Sequence, residues 1–81
     1  MKISKVIYQD HYRLLVFFDN QQTVLLSMQE KLQTLRFSNL RQIAVFEAGE
    51  TDGKGVQWPG GTSLSISEIL ELAAGGNKGR I

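Results

Sequence analysis

Residues 12 to 28 have the sequence YRLLVFFDNQQTVLLSM, and this stretch decides the fold of the chain. Side chains alternate between the two faces of a β-strand, so one face of the first run collects Tyr12, Leu14, Val16 and Phe18. Residues 19 to 22 are turn formers, and residues 23 to 28 alternate in the same way. The stretch therefore predicts two antiparallel strands joined by a short turn.

Residues 2 to 9 predict one more strand, because they are rich in β-branched and aromatic residues. Asp10 and His11 follow as a two-residue turn, since aspartate tolerates tight-turn geometry. Together these segments predict a three-stranded antiparallel meander.

The second face of this predicted sheet is also apolar. It carries Leu15 and Phe17 on the middle strand and Leu25 on the third strand. Two interpretations are open: the segment from Phe37 to Phe46 covers this face within the monomer, or the face stays open and binds protein. An open apolar face marks a protein–protein surface, and closed twofold assembly is the commonest way to bury one.

Helical segments are predicted after the meander from capping residues. Ser27 and Glu30 have the spacing of a capping box, in which hydroxyl and carboxylate each bond a free backbone N–H. They predict a short helix over residues 28 to 34. Ser38-Asn39 offers a second cap and predicts irregular helical turns that end near Phe46.

A second hairpin and a last helix are predicted in the rest of the chain. Asp52-Gly53-Lys54-Gly55 is a strong turn signal before a short strand over residues 56 to 58, and Pro59-Gly60-Gly61 ends that strand. Ser65 and Glu68 repeat the capping-box spacing and predict a helix to about Ala74.

The predicted fold class is α+β, with an antiparallel three-stranded meander, a short helical segment, a second β-hairpin and a C-terminal helix. We predict a single domain over residues 1 to 74 and a disordered polar tail over residues 75 to 81. No cysteine is present, which removes disulfides and thiolate chemistry. Neither a signal peptide nor a membrane span is visible, and we expect a cytoplasmic protein.

Residue types offer no catalytic constellation, so we expect no enzyme, no cofactor, no metal and no small-molecule substrate. His11, the single histidine, lacks a nucleophile tied to it and is interpreted as a polar turn residue. Glu47, Glu50 and Asp52 lack the loop pattern of a calcium site. The Asp52 to Gly55 segment lacks the long glycine loop and Lys-Ser/Thr ending of a phosphate site, and is interpreted as a hairpin turn.

The net charge gives no indication of nucleic-acid binding, because nine basic and eight acidic residues leave a formal charge of only +1. Basic residues outnumber acidic ones in the stretch that contains Lys31, Arg36 and Arg41. We interpret these residues as solvated helix and loop surface. Trp58-Pro59 has two interpretations: a binding anchor at an edge, or core packing followed by a strand stop.

Two motifs follow one another in the second half of the chain, Phe37-Ser38-Asn39-Leu40 and Gly55-Val56-Gln57-Trp58-Pro59-Gly60-Gly61. With these motifs and the order of its elements, the chain resembles, over about residues 2 to 72, the bacterial family named domain of unknown function 2442. The resemblance implies a compact α+β domain, often encoded beside another small protein as in a toxin–antitoxin pair, and it implies no defined activity. Gln21 follows Asn20 where that family commonly has glycine, so the second turn is expected to be wider.

The resulting hypothesis is a non-enzymatic interaction module that acts as a homodimer or as one half of a two-protein pair. Its expected contact residues are Leu15, Phe17, Leu25, Trp58 and Pro59. The alternative is a nucleic-acid-associated or transcription-regulatory accessory domain that uses Lys31, Arg36 and Arg41.

Overall fold

The structure is a computed structural model, and it describes residues 1 to 75 of the chain. Six strands, two short 3-10 helices and two α-helices follow one another within these residues, and the chain has the predicted α+β fold. The strands are β1 (Ile3–Gln9), β2 (Arg13–Phe18), β3 (Thr23–Ser27), β4 (Glu50–Thr51), β5 (Gly55–Gln57) and β6 (Ser63–Ser65). The helices are the 3-10 helices Lys31–Gln33 and Ser38–Arg41, then α1 (Ile43–Phe46) and α2 (Ile66–Gly75). Residues 76 to 81, most of the predicted tail, lie outside the described residues.

The first sheet is the predicted antiparallel meander, with the strand order β1-β2-β3. Val16 pairs with Val6 on one side and with Val24 on the other, which places all three residues on one face. The register of the sheet therefore agrees with the alternation in the sequence.

Both turns of the meander are wider than two residues. β1 and β2 close at the pair Gln9 and Arg13, so Tyr12 belongs to the first turn, and the prediction of a two-residue turn is wrong. His11 and Tyr12 have φ angles of 65° and 58°, a left-handed conformation that lets three residues reverse the chain. In the second turn Gln21 has a φ of 71°, as expected for the wider turn.

The first capping-box prediction is wrong, because the helix after β3 begins only at Lys31. Ser27 pairs with Arg13 as the last residue of β3, and the amide of Met28 donates to the carbonyl of Tyr12 at 2.9 Å. The Leu32 amide donates to the Met28 carbonyl at 3.1 Å, but this single turn does not continue as an α-helix, and Glu30 takes the N-cap position instead of the third position of a helix. The helix predicted over residues 28 to 34 is replaced by the 3-10 helix Lys31–Gln33, whose preceding residue makes no side-chain cap.

The second sheet contains the predicted hairpin and one additional strand. Its order is β4-β5-β6, because residues 63 to 65 return to pair with β5. The Asp52 carboxylate accepts the amides of Lys54 and Gly55 at 2.8 and 3.2 Å and thereby closes the turn between β4 and β5. The two sheets meet where the amide of Ile3 donates to the carbonyl of Gly53 at 2.8 Å.

The second capping-box prediction is confirmed at the start of α2. The amide of Ser65 donates to Glu68, and the amide of Glu68 donates to the Ser65 hydroxyl, each at 3.1 Å. α2 lies against β3 and β6, and its Ile69 is fully buried. None of the helices within residues 1 to 75 is long and apolar enough to cross a membrane.

The hydrophobic core lies on one face of the first sheet. Its fully buried side chains include Leu14, Val16, Met28, Leu40, Phe46, Val56, Leu64 and Ile69. The ring of Phe46 packs edge-on against Tyr8, with centroids 5.0 Å apart, and stacks on Trp58 at 6.4 Å. Since Tyr8 shares its face with Leu14, the Phe37 to Phe46 segment covers this inner face, and the opposite face is left uncovered by it.

Candidate protein interaction surface

The outer face of the first sheet carries nine side chains in three rows of three. The registers place Ile7, Leu15 and Leu25 side by side across the strands, and we call them the central row. One end row contains Lys5, Phe17 and Thr23, and the other contains Gln9, Arg13 and Ser27. "Outer face" refers below to these nine residues.

The central row is aliphatic and accessible. Ile7 is 39% exposed and Leu25 is 51% exposed, and between them Leu15 is half-buried. Among the described residues, none of these three side chains belongs to the buried core or to the hydrophobic side chains packed against it. Antiparallel sheets commonly present polar residues on their solvated face, so an aliphatic row there is unusual.

The end rows surround the central row with polar and basic groups. The Lys5 ammonium lies 4.8 Å from the centroid of the Phe17 ring, within the range of a cation–π interaction. At the opposite end the Nε of Arg13 donates to the backbone carbonyl of Asp10 at 3.0 Å. An apolar centre with a polar rim is the usual anatomy of a protein interface.

Three of the five predicted contact residues, Leu15, Phe17 and Leu25, lie together on the outer face. Sequence reasoning missed Ile7 as their neighbour. The alternation of the strand could have identified it: Val6 and Tyr8 face the core, so Ile7 between them lies on the opposite face.

Trp58 is buried and only 3% exposed, so the expectation that it anchors a contact is corrected. Its indole Nε1 donates to the carbonyl of Phe46 at 2.8 Å, which satisfies the polar atom inside the core. Pro59 is exposed in the following turn, and its carbonyl accepts a hydrogen bond from the side-chain Nδ2 of Asn39 at 3.0 Å. Trp58 thus packs in the core just after β5, and Pro59 lies in the turn that follows, as the other interpretation has it.

The hydroxyl of Tyr8 is the one buried side-chain polar atom without a hydrogen-bond partner among the described residues. Burial, with a smaller contribution from the Glu50 carboxylate, raises the pKa of Tyr8 to about 12. Gly49 packs against the Tyr8 and Trp58 rings so closely that a β-carbon there would meet the Tyr8 hydroxyl and lie 2.5 Å from the Trp58 Nε1.

The basic residues proposed for nucleic-acid binding are partly engaged within the fold. The Arg36 guanidinium donates to both carboxylate oxygens of Glu68, at 2.5 and 2.9 Å, and also to the carbonyl of Ser63. Hydrogen bonding from Arg36 lowers the pKa of Glu68 to about 2. The Nε of Arg41 donates to the carbonyl of Leu32 at 2.8 Å. These bonds count against a basic surface formed by Lys31, Arg36 and Arg41.

His11 and the carboxylates lie apart from the outer face. His11 is exposed in the first turn of the meander. Within residues 1 to 75 no three His, Asp or Glu side chains are grouped to hold a metal ion. The Asp52 carboxylate bonds the amides of its own turn, which takes up donors that a phosphate would need, and the Lys54 amide lowers the pKa of Asp52.

Comparison with known proteins returned no match: no family model, no curated protein and no solved structure is significantly similar to the chain. The resemblance to domain of unknown function 2442 therefore stays a prediction. The outer face has to be interpreted from its own geometry.

Proposed function

We propose that this chain is a non-enzymatic protein–protein interaction module and that the outer face is its contact surface. The observation that supports this proposal is the accessible central row, with Ile7 at 39% and Leu25 at 51% exposure beside Leu15. Burial of apolar surface contributes about 25 cal/mol of favourable free energy for each Å² removed from water. A partner that covers the central row therefore gains binding free energy.

The arrangement of polar groups supports the same proposal. Lys5, Gln9 and Arg13 place polar atoms at the two ends of the face, where they can orient a partner without crossing its apolar centre. The partner is a second copy of the chain or the other member of a small two-protein pair, and the module acts in the cytoplasm. Neither role requires a cofactor.

The first test places a photo-crosslinking amino acid at position 25 of the chain, produced in its own host cells. Leu25 is central on the outer face, and a matched variant carries the crosslinker at Leu35, which is 95% exposed in a turn outside the sheets. We expect a discrete covalent adduct from position 25 and a much weaker one from position 35, both measured by mass spectrometry. Equal yields from the two positions would contradict the proposal.

A further inference from the structure

We infer that the outer face binds a second copy of this chain, through a twofold axis that runs along the central row. This inference rests on the proposed function and names its partner. A twofold interface is isologous, so a face that pairs with itself must present compatible groups wherever the axis brings two residues together. The nine residues of the outer face can be tested against this requirement.

An axis along Ile7, Leu15 and Leu25 places each of these side chains against its own counterpart. Three aliphatic pairs then form a continuous apolar centre. Because the outer-facing positions of a strand recur every second residue, the same axis exchanges the two end rows. Every residue of one end row therefore meets a residue of the other.

The exchanged end rows are chemically compatible. Phe17 comes opposite Arg13 of the second copy, and a guanidinium over an aromatic ring is a favourable cation–π pair. Lys5 comes opposite Gln9, whose amide oxygen can accept from the ammonium group. Thr23 comes opposite Ser27, and each hydroxyl can donate to the other. No like charges face each other in this arrangement.

The competing twofold axis runs along the middle strand and is less favourable. It would place Arg13 against Arg13 of the second copy, and like charges in contact across an interface cost several kcal/mol. The charge pattern of the outer face therefore selects the axis along the central row.

The size of the face predicts a weak and reversible dimer. Three strands about 4.8 Å apart and five residues rising about 3.4 Å each give a geometric area of only a few hundred Å² per copy. Stable interfaces bury about 800 Å² of accessible surface on each partner. We therefore expect dissociation at low concentration.

The geometry can be tested by thiol crosslinking, because the chain contains no cysteine. Packed sheets lie about 10 Å apart, so a bifunctional maleimide of about that length is the probe. Thr23→Cys mixed with Ser27→Cys should crosslink, whereas Thr23→Cys alone should not, because its two copies lie on opposite ends of the face. Under the competing axis Thr23→Cys would instead join Lys5→Cys, and that outcome would overturn the inferred axis.

Solution mass tests whether the second copy binds at all. Light scattering from about 10 µM to 1 mM should show an apparent mass that rises from 9.1 kDa toward twice that value. Leu25→Glu should stay at the monomer mass throughout, and Leu35→Glu should behave like the unchanged chain.

The outcomes separate this inference from the proposed function. A chain that stays monomeric, while the crosslinker at position 25 captures a different protein, would overturn the second copy and leave the interaction module standing. A chain that stays monomeric and forms no selective adduct at position 25 would overturn both.

Discussion

Residue 49 is a position at which the core of the molecule accepts hydrogen and nothing larger. A β-carbon on Gly49 would press on the Tyr8 hydroxyl and on the Trp58 indole, which is held by its bond to Phe46. The glycine is thus required by close approach of two aromatic rings, since its backbone has no left-handed φ.

We expect Gly49→Ala to lower the free energy of unfolding by about 1–3 kcal/mol, because overpacking moves buried groups off their preferred positions. Urea denaturation measures this loss. The double variant Tyr8→Phe with Gly49→Ala should lose less than Gly49→Ala alone, because one of the crowded atoms is gone. A single variant as stable as the unchanged chain would show that the rings separate at no cost.

Tyr8→Phe by itself should leave the free energy of unfolding unchanged or raise it by up to about 1 kcal/mol. The phenol is buried without a hydrogen-bond partner among the described residues, so its removal ends an uncompensated desolvation. The same urea titration measures the effect. A clear loss of stability would mean that the hydroxyl has a partner in solution.

At the scale of elements, two capping boxes with the same spacing have opposite outcomes. Ser27 and Ser65 are each the last paired residue of a strand, β3 and β6, but only Ser65 exchanges capping bonds with the glutamate three residues further on. The spacing is a local signal, and it forms a cap only where a helix begins directly after the serine, as α2 does at Ile66 and the 3-10 helix at Lys31 does not.

Ser65→Ala should therefore lower the free energy of unfolding by about 1 kcal/mol, the usual value of a lost N-cap. Ser27→Ala and Ser67→Ala serve as matched controls and should change stability by less than about 0.5 kcal/mol, as exposed substitutions usually do. Thermal or urea unfolding followed by circular dichroism distinguishes the three. An equal loss from Ser27→Ala would show that Ser27 caps a helix in solution.

Glu68 also makes the docking of α2 dependent on pH. Its pKa is lowered from 4.5 to about 2 in the folded chain, chiefly by the hydrogen bonds from Arg36. A group with a lowered folded pKa contributes stability above its unfolded pKa, and this contribution is lost as the pH falls through the folded value. The pH window is therefore about 4.5 down to about 2.

Glu68→Gln should flatten the fall in the free energy of unfolding across that window, measured by urea titrations at several pH values. The effect is modest, because both side chains of the ion pair are partly solvated. Glu71→Gln, on the same helix, should retain the pH dependence of the unchanged chain. If Glu68→Gln and the unchanged chain have the same slope, the ion pair with Arg36 does not form in solution.

At the scale of the whole molecule, the inner face of the first sheet meets the core and the outer face remains accessible. Val16 and Phe17 are neighbours in the chain and lie on opposite faces of β2, the first fully buried and the second half-buried. Their difference permits a test in which the same substitution has two separate effects.

Val16→Arg should unfold the chain, because a charge buried in the core without a partner is strongly destabilising. Phe17→Arg should keep the far-ultraviolet circular dichroism of the folded chain and lose association with its second copy, because it places a like charge opposite Arg13 of that copy. Circular dichroism and light scattering on the two variants measure these outcomes. A folded Phe17→Arg chain that still associates would place the contact surface elsewhere.

The sequence by itself determined the features that depend on neighbours in the chain. Alternation along residues 12 to 28 predicted β2, β3 and the residues of each face, and the Ser65 and Glu68 spacing predicted the start of α2. These signals are local, because strand alternation and helix capping involve residues a few positions apart.

Only the tertiary structure decided which surfaces are covered. Phe46 and Trp58 stack on the Tyr8 side of the sheet, so Trp58 became a core residue and the face of Leu15 and Leu25 stayed open. Both faces had enough apolar residues to attract the Phe37 to Phe46 segment, and alternation alone cannot distinguish them. The choice depends on packing between residues far apart in the chain, which a local pattern does not encode.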